Sequence, residues 1–505
     1  MKLETGTMTL KELLADFVSI DCLPDIPITG LSLDSRSIKP GNVFIALAGQ
    51  KEHGLAFAHS AVNNGAIAVL CDRKFDQYCQ QILSALITRV ICIPIDNLRE
   101  KLGAIANAFY GEPSSKLFTV GITGTDGKTS VSHFVAQALN DAPHHSVVIG
   151  TIGNGFIDDL SRATHTTPDV VQVHKMMAEY QAKGAENVAM EVSSHGLDQE
   201  RVDAVEFDVA VLTNLGRDHL DYHGSIEAYR NAKQRLFERP EVKSVVLNLD
   251  DEFGQLLAAR LKGKCDVWAY SIQAAKSGDV DHLVQGELLE LHQQGMRIAI
   301  TTSYGKAEIN LGLMGDFNIS NVLATLCVML IKGYDFKKSI KRLQKLTTVP
   351  GRMQLFQNKG TPLVVVDYAH TPQALASVLK TLRKHCKGKL HCVFGCGGDR
   401  DMGKRPLMAQ AAESYSDEVI VTDDNPRTEN AQDIVKQIVA GFKNSESIKI
   451  IHDRKQAIKT AVIDAQAKDI VLIAGKGHED YQIIGSNKFP FSDAQVVIEC
   501  LRKAK

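Results

Sequence analysis

The stretch Gly121-Ile122-Thr123-Gly124-Thr125-Asp126-Gly127-Lys128-Thr129-Ser130 decides the fold of this chain. The apolar run 117–120 before it predicts a buried strand, and residues 131–139 after it predict a helix. A glycine-rich turn between a strand and a helix directs backbone N–H groups and the positive end of the helix dipole toward an anion. The lysine supplies a charge for the β- and γ-phosphates, and the next threonine hydroxyl can bind Mg²⁺. This stretch, the phosphate loop, therefore predicts nucleotide binding.

The phosphate loop departs from the strict P-loop pattern at one position. That pattern requires glycine five residues before Gly127, where this chain has Ile122. The flanking strand and helix are nevertheless those that the motif requires. We interpret the loop as a P-loop variant rather than as an incidental glycine-rich turn.

Composition excludes several classes of partner. The 505 residues include 57 Lys and Arg against 59 Asp and Glu, so the net charge of −2 offers no footprint for nucleic acid or anionic lipid. No apolar run approaches the roughly 18–20 residues of a membrane span. The ten cysteines are scattered, as in proteins with reduced thiols, and residues 1–5 lack the apolar core of a signal peptide. We expect a cytoplasmic protein, a monomer that binds neither nucleic acid nor membrane.

Strand-like runs alternate with helical stretches along the chain, which predicts an α/β fold with three domains. Residues 1–112 are expected to form a small N-terminal α/β domain. Residues 113–348 are expected to form a central P-loop ATPase-like domain with a mostly parallel sheet, and residues 349–505 a C-terminal Rossmann-like domain. In such sheets ligands collect at the carboxyl ends of the strands.

Polar side chains follow the strand-like runs of the central domain. Glu191 ends one run and His219 follows the next, so the sheet should bring both near the phosphate loop. A carboxylate beside the Thr129 hydroxyl could hold one Mg²⁺ that bridges ATP phosphates.

A lysine lies between two aromatic residues at helical spacing. Tyr229, Lys233 and Phe237 are four residues apart, which places them on one face of a predicted helix. Such a lysine usually snorkels at the edge of the core. From spacing alone, Lys233 is therefore predicted to be structural.

Three charged residues follow three different strand-like runs of the C-terminal domain: Arg400, Arg427 and Glu479. Arginine recognises carboxylates in bidentate fashion, and glutamate pairs with an ammonium group. Together these side chains could receive an amino acid by its charged ends.

Ordered motifs throughout the chain resemble those of the Mur ligases, the ATP-dependent amino-acid ligases of bacterial peptidoglycan precursor synthesis. The resemblance covers all three predicted domains. The motifs that carry it are Leu33-Asp34-Ser35-Arg36, the phosphate loop, Thr166-Thr167-Pro168, Met190 to Leu197, Asn214 to Gly224, Ala232-Lys233, Gly315 to Asn321, Pro350 to Met353, Asp367 to His370, Gly398-Asp399-Arg400 and Asp424 to Arg427.

The resemblance implies a ligase that adds meso-2,6-diaminopimelate to the D-Glu of UDP-MurNAc-L-Ala-D-Glu. ATP would phosphorylate the free D-Glu carboxylate, and the diaminopimelate amine would then attack the acyl phosphate. Because a carboxylate is a poor electrophile, the phosphate supplies the leaving group. The implied cofactors are ATP and Mg²⁺, and the N-terminal domain would bind the UDP-MurNAc substrate.

The resemblance also implies roles for individual residues. The catalytic residues would be Lys128, Glu191, His219 and Lys233. The ATP-binding residues would be Gly124, Thr125, Asp126, Gly127, Lys128, Thr129, Ser130, Asn318, Arg352 and Asp367. The dipeptide substrate would meet Leu33, Ser35, Thr166, Thr167, Ser193, Gln199 and Arg201. Diaminopimelate would meet Arg400, Asp424, Asn425, Pro426, Arg427, Gly475 and Glu479. The metal ligands would be Thr129, Glu191, His219 and carbamylated Lys233.

The implied role of Lys233 replaces the structural one. In the family this lysine is N-carboxylated by CO₂, giving N6-carboxylysine. Lysine is normally a cation, with a pKa near ~10.4. Carbamylation converts it into an anion that can bind a second Mg²⁺.

Three alternatives remain open at this point. A lysine-adding Mur ligase would leave Arg427 without the far carboxylate of diaminopimelate, which is costly. A ligase like folylpolyglutamate synthase shares the phosphate loop but does not need the motifs 33–36 and 424–427. A nucleotide-binding protein without ligase activity is disfavoured by the intact catalytic set.

Two positions depart from the family pattern. Asp126 replaces the usual Asn in the phosphate loop and brings a negative charge near ATP. His165 stands where Asn is common before Thr166. Neither change removes a catalytic group.

Overall fold

The computed structural model describes residues 8–18, 23–49, 52–73, 77–142, 145–273, 278–444 and 448–503. The chain divides into two compact units, Met1–Trp268 and Ala269–Lys505. Residues 1–5, on which the expectation about a signal peptide rests, lie outside the described residues. The three domain boundaries drawn from the sequence stay a prediction.

The first unit opens with a small sheet whose four strands are all parallel and follow one another in chain order. Its strands are Gly30–Ser32, Asn42–Ala46, Ala68–Asp72 and Ile91–Ile95. The accompanying α-helices are Leu10–Leu14, Ala58–Asn63, Gln77–Leu86 and Leu98–Phe109, and short 3₁₀ helices span Ser35–Ser37, Gly54–Phe57 and Pro113–Lys116.

A second parallel sheet of the first unit is built around the strand Phe118–Thr123 that enters the phosphate loop. In spatial order its parallel strands are Ser244–Asn248, Val209–Leu212, Phe118–Thr123, Asn187–Glu191 and Ser146–Ile149. Antiparallel strands Asn154–Phe156 and Asp159–Ser161 extend the last edge. The helices are Lys128–Leu139, Val170–Ala182, Ser194–Asp198, Leu220–His223, Ile226–Gln234 and Glu252–Leu261. The parallel strands are mostly apolar and almost entirely buried, as expected for a parallel sheet that is covered on both faces.

The second unit begins within the strand Asp266–Ser271 and continues into an antiparallel meander. The meander strands are His282–His292, Gly295–Thr302 and Gly305–Leu311. Helices Phe317–Ile331 and Phe336–Leu343 follow. The sequence analysis did not anticipate the meander.

The C-terminal part of the second unit is a six-stranded sheet that is parallel apart from its first strand. In spatial order its strands are Gln354–Phe356, Leu363–Asp367, Ile470–Ala474, Leu390–Phe394, Glu418–Val421 and Lys449–Ile450. The helices are Pro372–His385, Lys404–Tyr415, Ala431–Val439, Arg454–Asp464 and Asp493–Lys503, and a hairpin joins Tyr481–Ile484 to Asn487–Pro490. The predicted α/β fold with parallel sheets is confirmed.

One detail of the helical prediction is wrong. Tyr229 and Lys233 lie on the helix Ile226–Gln234, but this helix ends before Phe237. The backbone turns at residues 235–238, so Phe237 reaches the core from a turn rather than from the same helix face.

Within the described ranges, no helix has both the length and the apolar character needed to cross a membrane.

A buried ion pair lies inside the C-terminal sheet domain. Arg454 donates to both carboxylate oxygens of Asp493 at 2.8 Å, and both side chains are 0% exposed. Arg454 also donates to the Ala474 carbonyl at 2.9 Å, at the end of a central strand. The pair therefore ties the first turns of two helices to one strand end.

We expect Asp493→Ala to lower the free energy of unfolding of the second unit by roughly 3–5 kcal/mol, because it leaves the Arg454 charge buried without its partner. The matched control is Asp464→Ala, which breaks the exposed pair of Asp464 with Lys449 and should cost about 0–1 kcal/mol. Urea denaturation followed by circular dichroism measures both. Equal losses in the two variants would contradict the prediction.

Candidate active site

The phosphate loop turns sharply because two of its glycines adopt positive φ. Gly124 has φ +150° and Gly127 has φ +83°, a region that side chains other than glycine rarely enter. A Cβ on Gly124 would also collide with the Thr213 hydroxyl. The helix Lys128–Leu139 begins directly after Gly127, so its free N–H groups face the loop.

The neighbouring strand end holds the loop through its main chain. Asn214 Oδ1 accepts from the Asp126 N–H at 2.9 Å, and the Asn214 carbonyl accepts from the Thr125 N–H at 2.9 Å. The Thr213 hydroxyl donates to the Asp126 carbonyl at 2.6 Å. Asp126 itself is an exposed residue. These bonds use main-chain atoms of the loop, so the Asp126 carboxylate takes no part in them.

Two lysines share one carbonyl of the loop. Lys128 Nζ donates to the carbonyls of Gly124 and Thr125, both at 2.8 Å, and Lys233 Nζ donates to the same Gly124 carbonyl at 2.7 Å. Lys233 is only 1% exposed. Burial, followed by the nearby charge of Lys128, lowers the pKa of Lys233 to about 6. The amine of Lys233 is therefore mostly neutral at pH 7.

The spacing argument for Lys233 is thus corrected. A snorkelling lysine keeps its ammonium group in water, whereas Lys233 Nζ lies inside the protein, 4.6 Å from the centre of the Tyr229 ring. The Tyr229 hydroxyl pairs with the Thr125 hydroxyl at 3.1 Å, and burial raises the pKa of Tyr229 to about 12. The helix that carries both residues is therefore bonded to the phosphate loop.

A buried carboxylate faces the start of the phosphate-loop helix. Glu191 is 0% exposed, and its Oε2 accepts from the Thr129 hydroxyl at 2.9 Å. Thr151 donates to Glu191 through its N–H at 2.8 Å and its hydroxyl at 3.0 Å. A hydroxyl and a carboxylate side by side supply the oxygen ligands that Mg²⁺ prefers. Across the described residues, no group of three or more His, Cys, Asp or Glu side chains could hold a metal by itself.

Several imidazoles lie beside the helix of Lys233. His219 has φ +53° and a side chain that is 47% exposed, with Nε2 3.4 Å from an Asp218 carboxylate oxygen. Its ring centre is 4.8 Å from that of His195 and 6.3 Å from that of Tyr229. Burial lowers the pKa of His195. The fold therefore brings His219 to the side of the loop where Tyr229 and Lys233 lie.

A hydroxyl network joins Glu191 to the predicted dipeptide residues. The Thr167 hydroxyl donates to the Glu191 carbonyl at 2.9 Å and pairs with the Ser193 hydroxyl at 3.0 Å. The Thr166 hydroxyl pairs with that of Thr151 at 3.1 Å. The strand end at Glu191 is therefore surrounded by Thr166, Thr167 and Ser193.

An arginine continues this network. Arg201 donates to the Thr167 carbonyl at 2.8 Å and to Gln199 Oε1 at 2.7 Å. Gln199 Nε2 donates to the Tyr222 hydroxyl at 3.1 Å. Five of the seven residues that the sequence assigned to the dipeptide thus form one connected group.

The other two residues, Leu33 and Ser35, lie on the loop after the first strand of the small sheet. Asp34 begins the 3₁₀ turn Ser35–Ser37 by accepting from the Arg36 N–H at 2.9 Å. Ser35 is buried and Leu33 half-buried. The Asp-Ser-Arg sequence forms a capped turn.

In the second unit, Asn318 lies in the first turn of the helix Phe317–Ile331. It is 3% exposed and donates to the Met314 carbonyl at 2.8 Å, while its Oδ1 accepts from Asn321 at 3.0 Å. The side chain therefore closes the turn that precedes the helix.

Asp367 ends a strand of the C-terminal sheet and accepts two main-chain bonds. The N–H groups of Met353 and Ala369 donate to its two oxygens, each at 2.8 Å. Burial raises the pKa of Asp367. The Arg352 guanidinium lies 5.0 Å from the centre of the Tyr368 ring. Arg352, next to Met353, therefore lies near Asp367 at one end of the paired strands Gln354–Phe356 and Leu363–Asp367.

Four side chains converge at the carboxyl ends of two C-terminal strands. Asn425 Nδ2 donates to Glu479 Oε2 at 3.0 Å. Lys476 Nζ donates to Asn425 Oδ1 at 3.0 Å and to Glu479 Oε2 at 3.1 Å, and it lies 3.8 Å from Asp424 Oδ1. We call these four residues the acidic cluster. The sequence analysis assigned three of them to the amino-acid site and missed Lys476.

Arg427 stands next to the acidic cluster on the same loop. It adopts φ +52°, and its Nη1 donates to the Gly398 carbonyl at 2.7 Å. Pro426 precedes it, and Arg400 is exposed on the loop after the adjacent strand. Gly475 has φ +115°, and a Cβ there would lie 2.7 Å from Asp424 Oδ2. The predicted amino-acid residues thus come from three neighbouring strand ends.

Three residues that support the site were not assigned from the sequence: Asn214, Thr151 and Lys476. Each lies one residue beyond an apolar strand-like run, after Thr213, Gly150 or Gly475, and this position was a usable signal.

Comparison with known proteins relates the chain to one family. Three family descriptions match it in order: "Mur ligase family, catalytic domain" over residues 27–110, "Mur ligase middle domain" over 122–329, and "Mur ligase, glutamate ligase domain" over 351–477.

Relatives of known name match over nearly the whole chain. The UDP-N-acetylmuramoyl-L-alanyl-D-glutamate–2,6-diaminopimelate ligase of Alkalilimnicola ehrlichii is 45% identical, covering 98% of this chain and 99% of that protein. The ligase of the same name from Coxiella burnetii is 44% identical, covering 93% and 95%. A solved structure of a ligase with this name is 36% identical, covers 99% of both chains and has a TM-score of 0.72. The chain therefore belongs to the Mur ligase family.

Proposed function

We propose that this protein is an ATP-dependent ligase that adds meso-2,6-diaminopimelate to the D-Glu of UDP-MurNAc-L-Ala-D-Glu in peptidoglycan precursor synthesis. Relatives named for this reaction are 44–45% identical over nearly the full length. The observation that carries the assignment is the acidic cluster beside Arg427. Carboxylates for an ammonium group and a guanidinium for a carboxylate stand together, as an amino acid with a charged far end requires.

The phosphate loop would hold the ATP phosphates. Its turned backbone and the N-terminus of the helix Lys128–Leu139 supply N–H groups, and Lys128 supplies a positive charge. In phosphoryl transfer, catalysis consists chiefly of positioning and charge neutralisation. The remaining loop residues (Thr125, Asp126 and Ser130), together with Asn318, Arg352 and Asp367, are proposed to contact the nucleotide.

Mg²⁺ fits the donor set of this site. Thr129 and Glu191 offer adjacent oxygens, and with few protein ligands the coordination would be completed by phosphates and water, as is usual for this ion. We propose that Thr129, Glu191 and His219 hold one Mg²⁺ and that carbamylated Lys233 would bind a second. When bound, the ion would neutralise charge that develops on the transferred phosphoryl group.

Lys233 has the properties that carbamylation requires. Because its amine is mostly neutral above pH 6, its nitrogen lone pair is free to attack CO₂. A new N–C bond forms, the amine loses a proton, and a carbamate anion results. The Gly124 carbonyl and Tyr229 fix the position of this nitrogen.

The dipeptide would be bound by the hydroxyl network and by the N-terminal sheet. We propose that Thr166, Thr167, Ser193, Gln199 and Arg201 hold the peptide end near Glu191, with Leu33 and Ser35 in contact with the nucleotide-sugar end. Arg201 is rigidly placed by its two acceptors and can present positive charge to the D-Glu carboxylate.

The alternatives are weaker than this proposal for different reasons. A lysine-adding ligase would leave Arg427 unpaired in the complex. A folylpolyglutamate synthase-like ligase does not require the N-terminal region, which here matches a Mur ligase description over residues 27–110. A binding protein without activity would have no need for a buried Lys233 that is hydrogen-bonded to the phosphate loop. We further propose that the enzyme is cytoplasmic and monomeric, as the sequence analysis expects.

The reaction and its selectivity are tested together by phosphate release. With ATP and UDP-MurNAc-L-Ala-D-Glu, we expect release with meso-diaminopimelate and little with L-lysine. Arg427→Ala should lower kcat/KM for diaminopimelate by about 100-fold, because the far carboxylate of the substrate loses its guanidinium partner. The substitution should leave the slow reaction with lysine unchanged.

Arg383→Ala, at an exposed arginine of the same domain, is the control and should behave as the wild type. A wild-type preference for lysine would contradict the proposed substrate. Release that needs neither amino acid nor dipeptide would instead favour the alternative without ligase activity.

The role of Lys233 is tested by isotope labelling and rescue. With carbon-13 bicarbonate we expect a carbamate signal in the NMR spectrum that fades as pH falls below about 6, because the amine is then protonated. Lys233→Ala should abolish the signal and lower activity by about 100-fold or more, and short carboxylic acids should partly restore activity. A persistent signal in the variant would assign the carbamate to another lysine.

The effect of having Asp126 in place of the usual Asn is tested by comparing two substitutions, one at Asp126 and one at Asn214. Asp126→Asn should change the KM for ATP by no more than about threefold, because the loop is held by the main chain of this residue. Asn214→Ala removes the acceptor for the Asp126 N–H and should raise the KM for ATP about 10-fold. Steady-state kinetics with varied ATP distinguishes the two, and the reverse order would mean that the Asp126 carboxylate itself governs nucleotide binding.

A further inference from the structure

A fully buried lysine lies behind the carboxylates of the acidic cluster. The Lys476 side chain is 0% exposed, so its ammonium group has no access to solvent. It is bonded to Asn425 and Glu479 and lies 5.6 Å from the centre of the Tyr481 ring. An ammonium group in such a place is retained only where several acceptors surround it.

The contacts of Lys476 determine which way the Asn425 amide points. Asn425 Oδ1 accepts from Lys476 at 3.0 Å and from the Ile483 N–H at 2.9 Å. With both donors on its oxygen side, the amide must direct its NH₂ group to Glu479, where the bond measures 3.0 Å. Lys476, Asn425 and Glu479 therefore form a closed triangle of hydrogen bonds.

The same ammonium group balances the charge of the two carboxylates. Lys476 Nζ is 3.1 Å from Glu479 Oε2 and 3.8 Å from Asp424 Oδ1. Without it, Asp424 and Glu479 would repel each other, and Glu479 would keep only the Asn425 amide as a partner inside the cluster. A substrate ammonium group would then meet carboxylates with no fixed orientation.

The loop that carries Lys476 is anchored by contacts with buried residues. Arg454, itself fully buried, donates to the Ala474 carbonyl at 2.9 Å, immediately before the loop begins. Gly475 then passes so close to Asp424 that a Cβ would lie 2.7 Å from its Oδ2. Contacts at the buried end of the strand therefore determine where Lys476 lies.

We propose that Lys476 is a positioning residue for the incoming amino acid: it holds Asn425 and Glu479 in the orientation that receives the charged end of the substrate. The proposal rests on the proposed function, because it assigns the acidic cluster to diaminopimelate. Since Lys476 is enclosed, it acts through its two partners, and its loss should weaken amino-acid binding selectively.

The test uses the full chain and measures the KM of each of the three substrates by phosphate release. For Lys476→Met we expect the KM for meso-diaminopimelate to rise about 10-fold to 100-fold, as when a hydrogen bond to a charged group is lost. The KM values for ATP and for UDP-MurNAc-L-Ala-D-Glu should stay within about threefold. Lys476→Arg, which keeps the charge, should recover part of the loss. Lys389→Met, at a lysine 63% exposed in the same sheet domain, is the control and should match the wild type.

Two results would overturn the role of Lys476: an unchanged KM for diaminopimelate, or an equal rise of all three KM values. If Lys476→Met does not fold by circular dichroism, Lys476→Gln is measured in its place, and failure of both to fold would assign the lysine to the core alone. Failure of the proposed function is recognised separately, because the wild type itself would then show no release that depends on diaminopimelate.

Discussion

The arrangement of the two lysines at the phosphate loop depends on one carbonyl group. Gly124 can turn its carbonyl toward both Lys128 and Lys233 only because its φ of +150° is open to glycine. Burial, followed by repulsion from the charge of Lys128 on the same oxygen, lowers the pKa of Lys233 to about 6. The sharp turn thus fixes where the phosphate cradle lies and also makes one lysine chemically different from the other.

The strand ends explain why so much of the site could be foreseen. The strand into the phosphate loop, the strand that ends at Glu191 and the strand before Asp424 are mostly apolar and buried, so their approximate limits are visible in the sequence. Parallel strands bring their carboxyl ends to one edge. Residues that follow such runs in the same sheet can therefore be neighbours even when they are far apart in the chain.

Other features of the site could not be predicted from the sequence. They depend on burial, on where a helix ends, or on contacts between separate loops. Periodicity placed Lys233 on a helix face but could not show that its nitrogen is enclosed, and the family resemblance was needed to question the structural role. Phe237 lies outside the helix because the backbone turns after Gln234, a boundary that no strong signal marks. The hydroxyl network around Thr151 joins short polar residues from separate loops, which only the folded chain brings together.

The two buried lysines of the site show how one side chain supplies opposite chemistry. Lys233 is buried without a facing carboxylate among the described residues and lies near the charge of Lys128, so its pKa is lowered to about 6, and a neutral amine is a nucleophile. Lys476 is equally enclosed but meets the oxygens of Asn425 and Glu479 with Asp424 close by, so its charge is matched and it serves as a fixed donor. Burial alone therefore does not define the role of a lysine. The charge of its nearest neighbours decides whether burial produces a reactive group or a rigid one.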